Sequence, residues 1–195
     1  IADNIKTYEI DELIAKISAG YTTLHGDYSK LSARVLESSI EKSVGGFFSQ
    51  NEKLFNQGII SEEQWIKVNK WKKTISEILL LPSLEIDYLG LNAYIKTYLI
   101  RDKKDNISET PHHSRIRLAV FFAEKEEDVK ENYYALVEGW SPPTPTLCNA
   151  GTTEGQLASC QLHYLKGDSL EGIMDSAKDF AISSKNKAGI GVAAY

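Results

Sequence analysis

The chain has 195 residues, 42% hydrophobic and 25% charged, with a net charge of −5. These fractions are those of a globular chain, which excludes disordered, collagen-like and disulfide-scaffold classes. The mild acidity lacks the basic excess that generic nucleic-acid or anionic-membrane binding needs. The longest apolar runs, Ile78 to Pro82 and Leu118 to Ala123, are too short to span a bilayer, and no signal sequence is visible. Two cysteines in a chain of this length point to a reducing compartment.

Up to Trp140 the pattern is helical with short breaks. Ile10, Leu13, Ile14 and Ile17 form an apolar stripe that stops before Gly20. Asp27 is placed to cap a second helix, on which Tyr28, Leu31, Val35 and Leu36 recur at helical spacing. Ser61 followed by Gln64 is a capping-box pattern. The helix it opens carries Trp65, Val68, Trp71, Ile75, Ile78 and Leu79 as a packing face, and Pro82 ends it.

Tyr98 to Ile107 reads as a small hairpin turning through Asp102-Lys-Lys-Asp-Asn106. Pro111 suits a helix N1 position, with His112, His113 and Arg115 in the following turns. Adjacent helical positions diverge by about 100°, so the paired histidines are not expected to hold a metal, and no metal site is expected. The acidic run Glu124 to Asp128 opens a further helix through Val129, Tyr133, Leu136 and Trp140.

At Trp140 the texture changes. Ser141-Pro-Pro-Thr-Pro-Thr146 is expected to be non-helical, because three prolines fix φ and remove donors. Gln156 to Leu165 alternates in the manner of a strand. Ser159 and His163 point one way, Cys160 and Tyr164 the other. Gly167-Asp168-Ser169 caps a helix that ends at Lys185 to Lys187, and Ala188 to Ala194 begins a second strand. Strand, helix, strand is a βαβ unit, which needs neighbours for both its faces and edges, so an end at Tyr195 reads as premature. On residue type alone, Cys160 is expected to be a small buried hydrophobe, with a redox-active thiol as the other reading. A pairing of Cys160 with Cys148 is neither favoured nor excluded by the spacing.

The run Pro143-Thr-Pro-Thr-Leu-Cys-Asn-Ala-Gly151-Thr is followed by Gln156-Leu-Ala-Ser-Cys160, Gly167-Asp-Ser-Leu-Glu-Gly-Ile173 and Ala188-Gly-Ile-Gly-Val-Ala193. These blocks, in this order and spacing, closely resemble the large subunit of class I ribonucleotide reductase. Upstream, Thr23-Thr-Leu-His-Gly-Asp-Tyr28 and Glu109-Thr-Pro-His-His-Ser-Arg-Ile-Arg117 resemble that family's helical N-terminal domain. The resemblance implies a mostly α N-terminal domain over 1–140. Over 141–195 it implies the first strand–helix–strand of a ten-stranded α/β barrel, left incomplete in a chain that matches about the opening third of such a subunit.

The implied activity is reduction of ribonucleoside diphosphates to deoxyribonucleotides by thiyl-radical chemistry. Cys160 matches the first of the two reducing cysteines. Thr144, Ser159 and Gly189 match substrate contacts; Asp168, Ser169 and Lys185 match residues that bind an allosteric effector. The second redox cysteine and the thiyl-forming cysteine belong beyond Tyr195, so this chain alone is expected to be inactive. Implied effectors are deoxynucleoside triphosphates or ATP with magnesium. Nothing is expected to be bound covalently on this chain, and a metal–radical cofactor is expected on a small subunit. Implied partners are the remaining C-terminal part of the large subunit, a second large subunit, the small subunit and a thioredoxin- or glutaredoxin-type reductant. No membrane and no direct nucleic-acid contact are expected, and the location is cytoplasmic, in a cell or an infected host cell. Two departures stand out: Cys148 replaces a usual aromatic, and Lys187-Ala188 replaces a pair of small residues. The alternative is a catalytically inactive nucleotide-binding regulatory or interaction module.

Overall fold

The computed structural model describes residues 5–82, 85–185 and 188–193. Lys187 and Ala194, named in the sequence reading, lie outside them. The chain divides into two compact units: one runs up to Trp140 and takes in Gly151–Thr153, the other comprises Ser141–Ala150 and the residues from Glu154 on.

The first unit is built from helices α1 (Thr7–Gly20), α2 (Asp27–Val44), α3 (Phe47–Asn56), α4 (Glu62–Lys70), α5 (Lys72–Leu79), α6 (Tyr88–Ala93), α7 (Pro111–Phe122) and α8 (Glu126–Val137). A π-helical turn, Tyr94–Tyr98, follows α6. Half of the capping box at Ser61 forms: its Oγ accepts from Gln64 N at 3.2 Å, while Ser61 N donates to the carbonyl of Gly151 and the Gln64 side chain donates to the carbonyl of Arg117. The long tryptophan-bearing helix is in fact two, α4 and α5, broken at Trp71. Its packing face holds: Val68, Trp71, Ile75 and Ile78 are buried, and half-buried Trp65 stacks on Phe55 at 4.9 Å.

The apolar stripe of α1 gives a helix but not a core. Ile10, Leu13, Ile14 and Ile17 are all exposed, Ile17 by 52%. α1 instead packs on α2, and the residues it buries are the small ones, Ala15 and Ser18. Small side chains let two helix axes approach closely, so the opposite, bulkier face is left outward. Asp27 is the first residue of α2 rather than its cap, that place going to Gly26.

α7 is the centre of the unit. Every residue from Pro111 to Val120 is buried, so no amphipathic face is present for periodicity to reveal. Thr110 caps it, its Oγ1 accepting from His113 N at 3.1 Å, and Pro111 takes the first turn as expected. Arg117 forms a two-pronged ion pair with Glu109, Nε to Oε2 and Nη2 to Oε1 both at 2.9 Å, and both side chains are buried. Glu109 Oε1 also accepts from Ile100 N at 2.9 Å, which ties the pair to the hairpin. That hairpin is reduced to one antiparallel bridge, Arg101↔Ile107. Its turn is organised by Asp102, whose Oδ1 accepts from Lys104 N and Asn106 N and whose Oδ2 pairs with Lys53 at 2.9 Å. These partners hold the Asp102 carboxyl well below the usual carboxylate range, Lys53 contributing most.

His113 titrates at about 4, below the ordinary value of 6.5, because burial disfavours the imidazolium and His112 lies beside it. A depressed histidine pKa means the unfolded chain binds the proton first. Stability is therefore full above about pH 6.5 and falls as the pH drops toward 4, by on the order of 3 kcal/mol. Urea unfolding at pH 7 and pH 4.5 is expected to show this loss, and His113→Phe is expected to shrink it. An unchanged pH slope in that variant would assign the acid sensitivity elsewhere.

Gly151 joins this unit through Ser61 N, which donates to its carbonyl at 3.0 Å, and through the bridge Ile60↔Thr152. It has φ +78°, and a Cβ there would lie 2.8 Å from Cδ of Gln64. Gln64 is buried and donates from Nε2 to the carbonyl of Arg117 at 3.0 Å, so it has nowhere to swing. Gly151→Ala is expected to cost about 2–4 kcal/mol from left-handed strain and overpacking together. Thermal denaturation checks it, and a change of only a few tenths of a kcal/mol would contradict this packing.

In the second unit the expectation of non-helical chain at 141–146 holds for 141–143 and fails from Thr144, where α9 (Thr144–Asn149) begins. Pro145 lies in its first turn, where the missing N–H has no partner to lose and the fixed φ already suits a helix. The strands β1 (Cys160–Tyr164) and β2 (Gly189–Ala193) pair in parallel, joined by α10 (Leu170–Lys185). β1 is shorter than the alternation suggests. The carbonyls of Gln156 and Leu157 accept from Asn149 Nδ2 at 2.7 Å and Thr146 Oγ1 at 2.9 Å, so side chains rather than a strand take them. No helix among the described residues is long and apolar enough to cross a membrane.

Candidate functional site

All seven residues singled out for substrate, effector or redox roles lie in the second unit. The parallel register sets Cys160 directly beside Gly189, and Gly189 N donates to Ser159 O at 2.8 Å. A Cβ on Gly189 would sit 3.4 Å from Ser159 O and 3.6 Å from Cys160 Sγ, so the bare glycine leaves one flank of the thiol open. Ser159, Cys160 and Gly189 thus form one contiguous patch at the leading ends of both strands.

The faces of β1 are distinct. His163 and Gln161 are partly buried, while Cys160, Leu162 and Tyr164 are exposed. His163 Nε2 meets Ser183 Oγ at 3.1 Å and its ring packs edge-on against Phe180, both on α10. That anchors the even-numbered side chains of β1, Cys160 included, to the face away from α10, since successive strand residues alternate. Cys160 is exposed and in no disulfide, contrary to the buried-hydrophobe expectation from residue type; Cys148 is half-buried and likewise not disulfide-bonded.

Thr144 is exposed at the start of α9 and shares no hydrogen bond with Ser159, Cys160 or Gly189 among the described residues. What links its helix to the patch is Thr146 on Leu157, two residues before Ser159. Thr146 carried no signal of its own in the sequence.

The other group is divided. Asp168 and Ser169 stand at the start of α10, where Ser169 Oγ accepts from Gly172 N at 3.1 Å, the cap read from the sequence. Lys185 is the last residue of the same helix. Sixteen residues at 1.5 Å each put these ends about 24 Å apart, so one copy does not bring them together. A hollow of about 400 Å³ opens at the Asp168 end, lined by Leu165, Gly167, Asp168 and Ile173.

The loop forming its wall is fixed by residues not foreseen in the sequence. Ser176 Oγ accepts from Lys166 N at 3.0 Å and donates to Gly172 O at 2.7 Å. Lys166 Nζ pairs with Asp179 at 2.7 Å, a bond that raises the lysine pKa and lowers that of the aspartate. Gly172 is required here: a Cβ would meet the Lys166 carbonyl oxygen at 3.0 Å. A serine at mid-helix normally reads as surface, and only Gly172, a poor helix former in the first turn, signalled the close approach.

The family profile described as "Ribonucleotide reductase, all-alpha domain" matches residues 84–155. The chain is similar to the ribonucleoside-diphosphate reductase large subunit of monkeypox virus, 36% identical over 205 residues that take in 98% of this chain and 26% of the viral one. It is 32% identical to the large subunit of Arabidopsis thaliana, over 98% of this chain and 25% of the plant protein. With "large chain 2" of Saccharomyces cerevisiae the identity is 30%, over 98% of this chain and 24% of the yeast one. The chain spans about a quarter of the length of these relatives. With the match running through its helical unit and on through the Ser159–Cys160 and Asp168–Ser169 blocks, the chain belongs to the ribonucleotide reductase large-subunit family.

Proposed function

We propose that this chain forms part of a ribonucleoside-diphosphate reductase, with residues up to 140 as its helical domain and 141–195 opening a ten-stranded α/β barrel. Cys160 is one of the reducing pair. The observation that carries this reading is the exposed Cys160 thiol beside Gly189, on the sheet face turned away from α10. In a barrel the helices lie outside, so that face is the interior.

The chemistry assigned to Cys160 balances simply. Two thiols, Cys160 and a cysteine outside this chain, close a disulfide and release two electrons and two protons. These convert the 2′ C–OH of the ribose to C–H, and the hydroxyl leaves as water. Exchange with an external dithiol of the thioredoxin or glutaredoxin type restores both thiols. The chemistry expected from the small subunit's metal–radical centre is the one-electron oxidation that makes the thiyl on a cysteine outside this chain.

Ser159 and Gly189 border the thiol and bind the nucleotide with Thr144. Asp168 and Ser169 at the start of α10 receive a triphosphate effector with magnesium, and Lys185 serves the effector site of a second large subunit. The separation of the two helix ends favours this two-copy arrangement. The complex acts in the cytoplasm. Alone, the chain lacks the partner thiol and does not turn over. The decisive assay combines the chain with the remaining large-subunit segment and a small subunit, and measures deoxynucleotide formation with and without Cys160→Ser. Loss of turnover is expected; full activity would remove Cys160 from the chemistry. Saturable triphosphate binding with no activity in any combination would favour an inactive regulatory module instead.

A further inference from the structure

Among the described residues, the first unit contains a buried charge with no counter-charge in ion-pair reach. Arg115, on α7, is only 5% exposed. Its guanidinium lies over the ring of Tyr94, 5.3 Å from the centroid, and Nη1 makes one long hydrogen bond, 3.4 Å, to the carbonyl of Pro111. Among the described residues no carboxylate comes within 4.0 Å of it. Its ionisable neighbours supply no negative charge. His112 Nδ1 and Tyr133 OH meet at 3.3 Å, and burial holds the histidine below and the tyrosine above their ordinary values, so both are neutral at pH 7.

This matters because arginine cannot shed its proton, and a buried charge is tolerated only when paired. Arg117, two residues along the same helix, shows the ordinary solution, with two bonds to Glu109. Arg115 lies instead over an aromatic face. A contact with the π face uses up no N–H, so the guanidinium keeps donors for an acceptor, and such a fork can take two oxygens of one oxyanion. Its reach back to Pro111 also sets the charge beside the first turn of α7, adding the positive end of the helix dipole. A second hollow, about 270 Å³, is lined by Thr110, His112 and His113, but Glu41 is also on its wall and Arg115 is not. That hollow repels an anion; the guanidinium edge attracts one.

We infer that Arg115 is the receptor for a small oxyanion, a phosphate or a carboxylate, bound at the N-terminal end of α7. This site is independent of the redox reading of Cys160 and stands or falls separately.

The test titrates the 195-residue chain with sodium phosphate and, separately, with sodium acetate, ionic strength being held constant with chloride. The Arg115 Nε–Hε NMR resonance and the thermal midpoint are both followed. The resonance is expected to shift saturably and the midpoint to rise with anion occupancy. A response to phosphate alone identifies a tetrahedral oxyanion, one to acetate alone a carboxylate, and one to both an unselective fork. Arg115→Met is expected to weaken the midpoint response about tenfold or more in anion concentration, since a charge-assisted bond is lost. Arg115→Lys keeps the charge without the fork and is expected to fall between. No saturation in either arm, or equal responses in wild type and Arg115→Lys, would overturn the assignment. The wild-type titration decides even if the methionine variant does not fold.

Discussion

Arg117→Ala is expected to destabilise the chain by about 3–5 kcal/mol, seen as a lower urea midpoint. The loss follows from what remains behind. Glu109 would keep its charge in a buried position, compensated among the described residues by Ile100 N at 2.9 Å. The gain from the pair itself is small, because desolvating two charges offsets most of their attraction. The double variant Glu109→Leu with Arg117→Met is therefore expected to recover much of the loss, leaving mainly the unsatisfied Ile100 N–H, worth about 1–3 kcal/mol. Glu109→Gln alone tests the other half: it retains an acceptor for Ile100 and leaves Arg117 charged and half-served. If the double variant were as unstable as Arg117→Ala, the pair would be contributing through packing rather than through charge. If Arg117→Ala cost less than about 1 kcal/mol, the pair would behave as a surface bridge, against its burial.

The sequence is most legible where local chemistry and tertiary packing agree. Ser61 and Pro111 each do in three dimensions what their residue types announce, because a cap acts within one turn. The tryptophan-bearing segment buries its predicted face because helical periodicity and core position coincide there. α1 misleads for the opposite reason. Its bulky stripe reads as a core face, yet the neighbour that forms, α2, selects the small residues Ala15 and Ser18. Periodicity finds the helix and cannot say which face a neighbour will take. α7 is harder still, since a helix buried all round has no face to find, and its charged residues read as surface. Arg117 and Glu109 are eight residues apart, and only the fold brings the fork to the carboxylate. At the candidate site, Cys160 and Gly189 were singled out separately, but their adjacency is a matter of strand register across a 16-residue helix. Ser176 and Thr146, which fix the loops on either side, are single hydroxyls with no pattern to mark them.

Cys160→Ser is expected to reduce deoxynucleotide formation by the assembled enzyme to background, the largest effect proposed for any side chain here. Serine keeps the size and a hydrogen-bonding group, so the patch with Ser159 and Gly189 should persist. It cannot form a disulfide, so under the proposed role of Cys160 the two electrons that would replace the 2′ oxygen have no source. The companion variant, Cys148→Ser, separates loss of chemistry from loss of fold. Cys148 lies on α9 rather than on β1, and its replacement is expected to leave turnover within about twofold if the redox role is Cys160's alone. Thiol counting gives an independent reading. After one turnover without external reductant, the assembled enzyme should lose Cys160 from the set that reacts with a maleimide, while Cys148 remains in it. Protection of Cys148 instead, or of neither, would move the reducing pair elsewhere. The same measurement on Gly189→Val carries the geometric half of the claim. A branched side chain beginning 3.6 Å from Cys160 Sγ would crowd the thiol from the flank the glycine leaves open. Slower alkylation of Cys160 in that variant, with the thermal midpoint little changed, is the signature of a thiol whose reactivity depends on its neighbour across the strand pair.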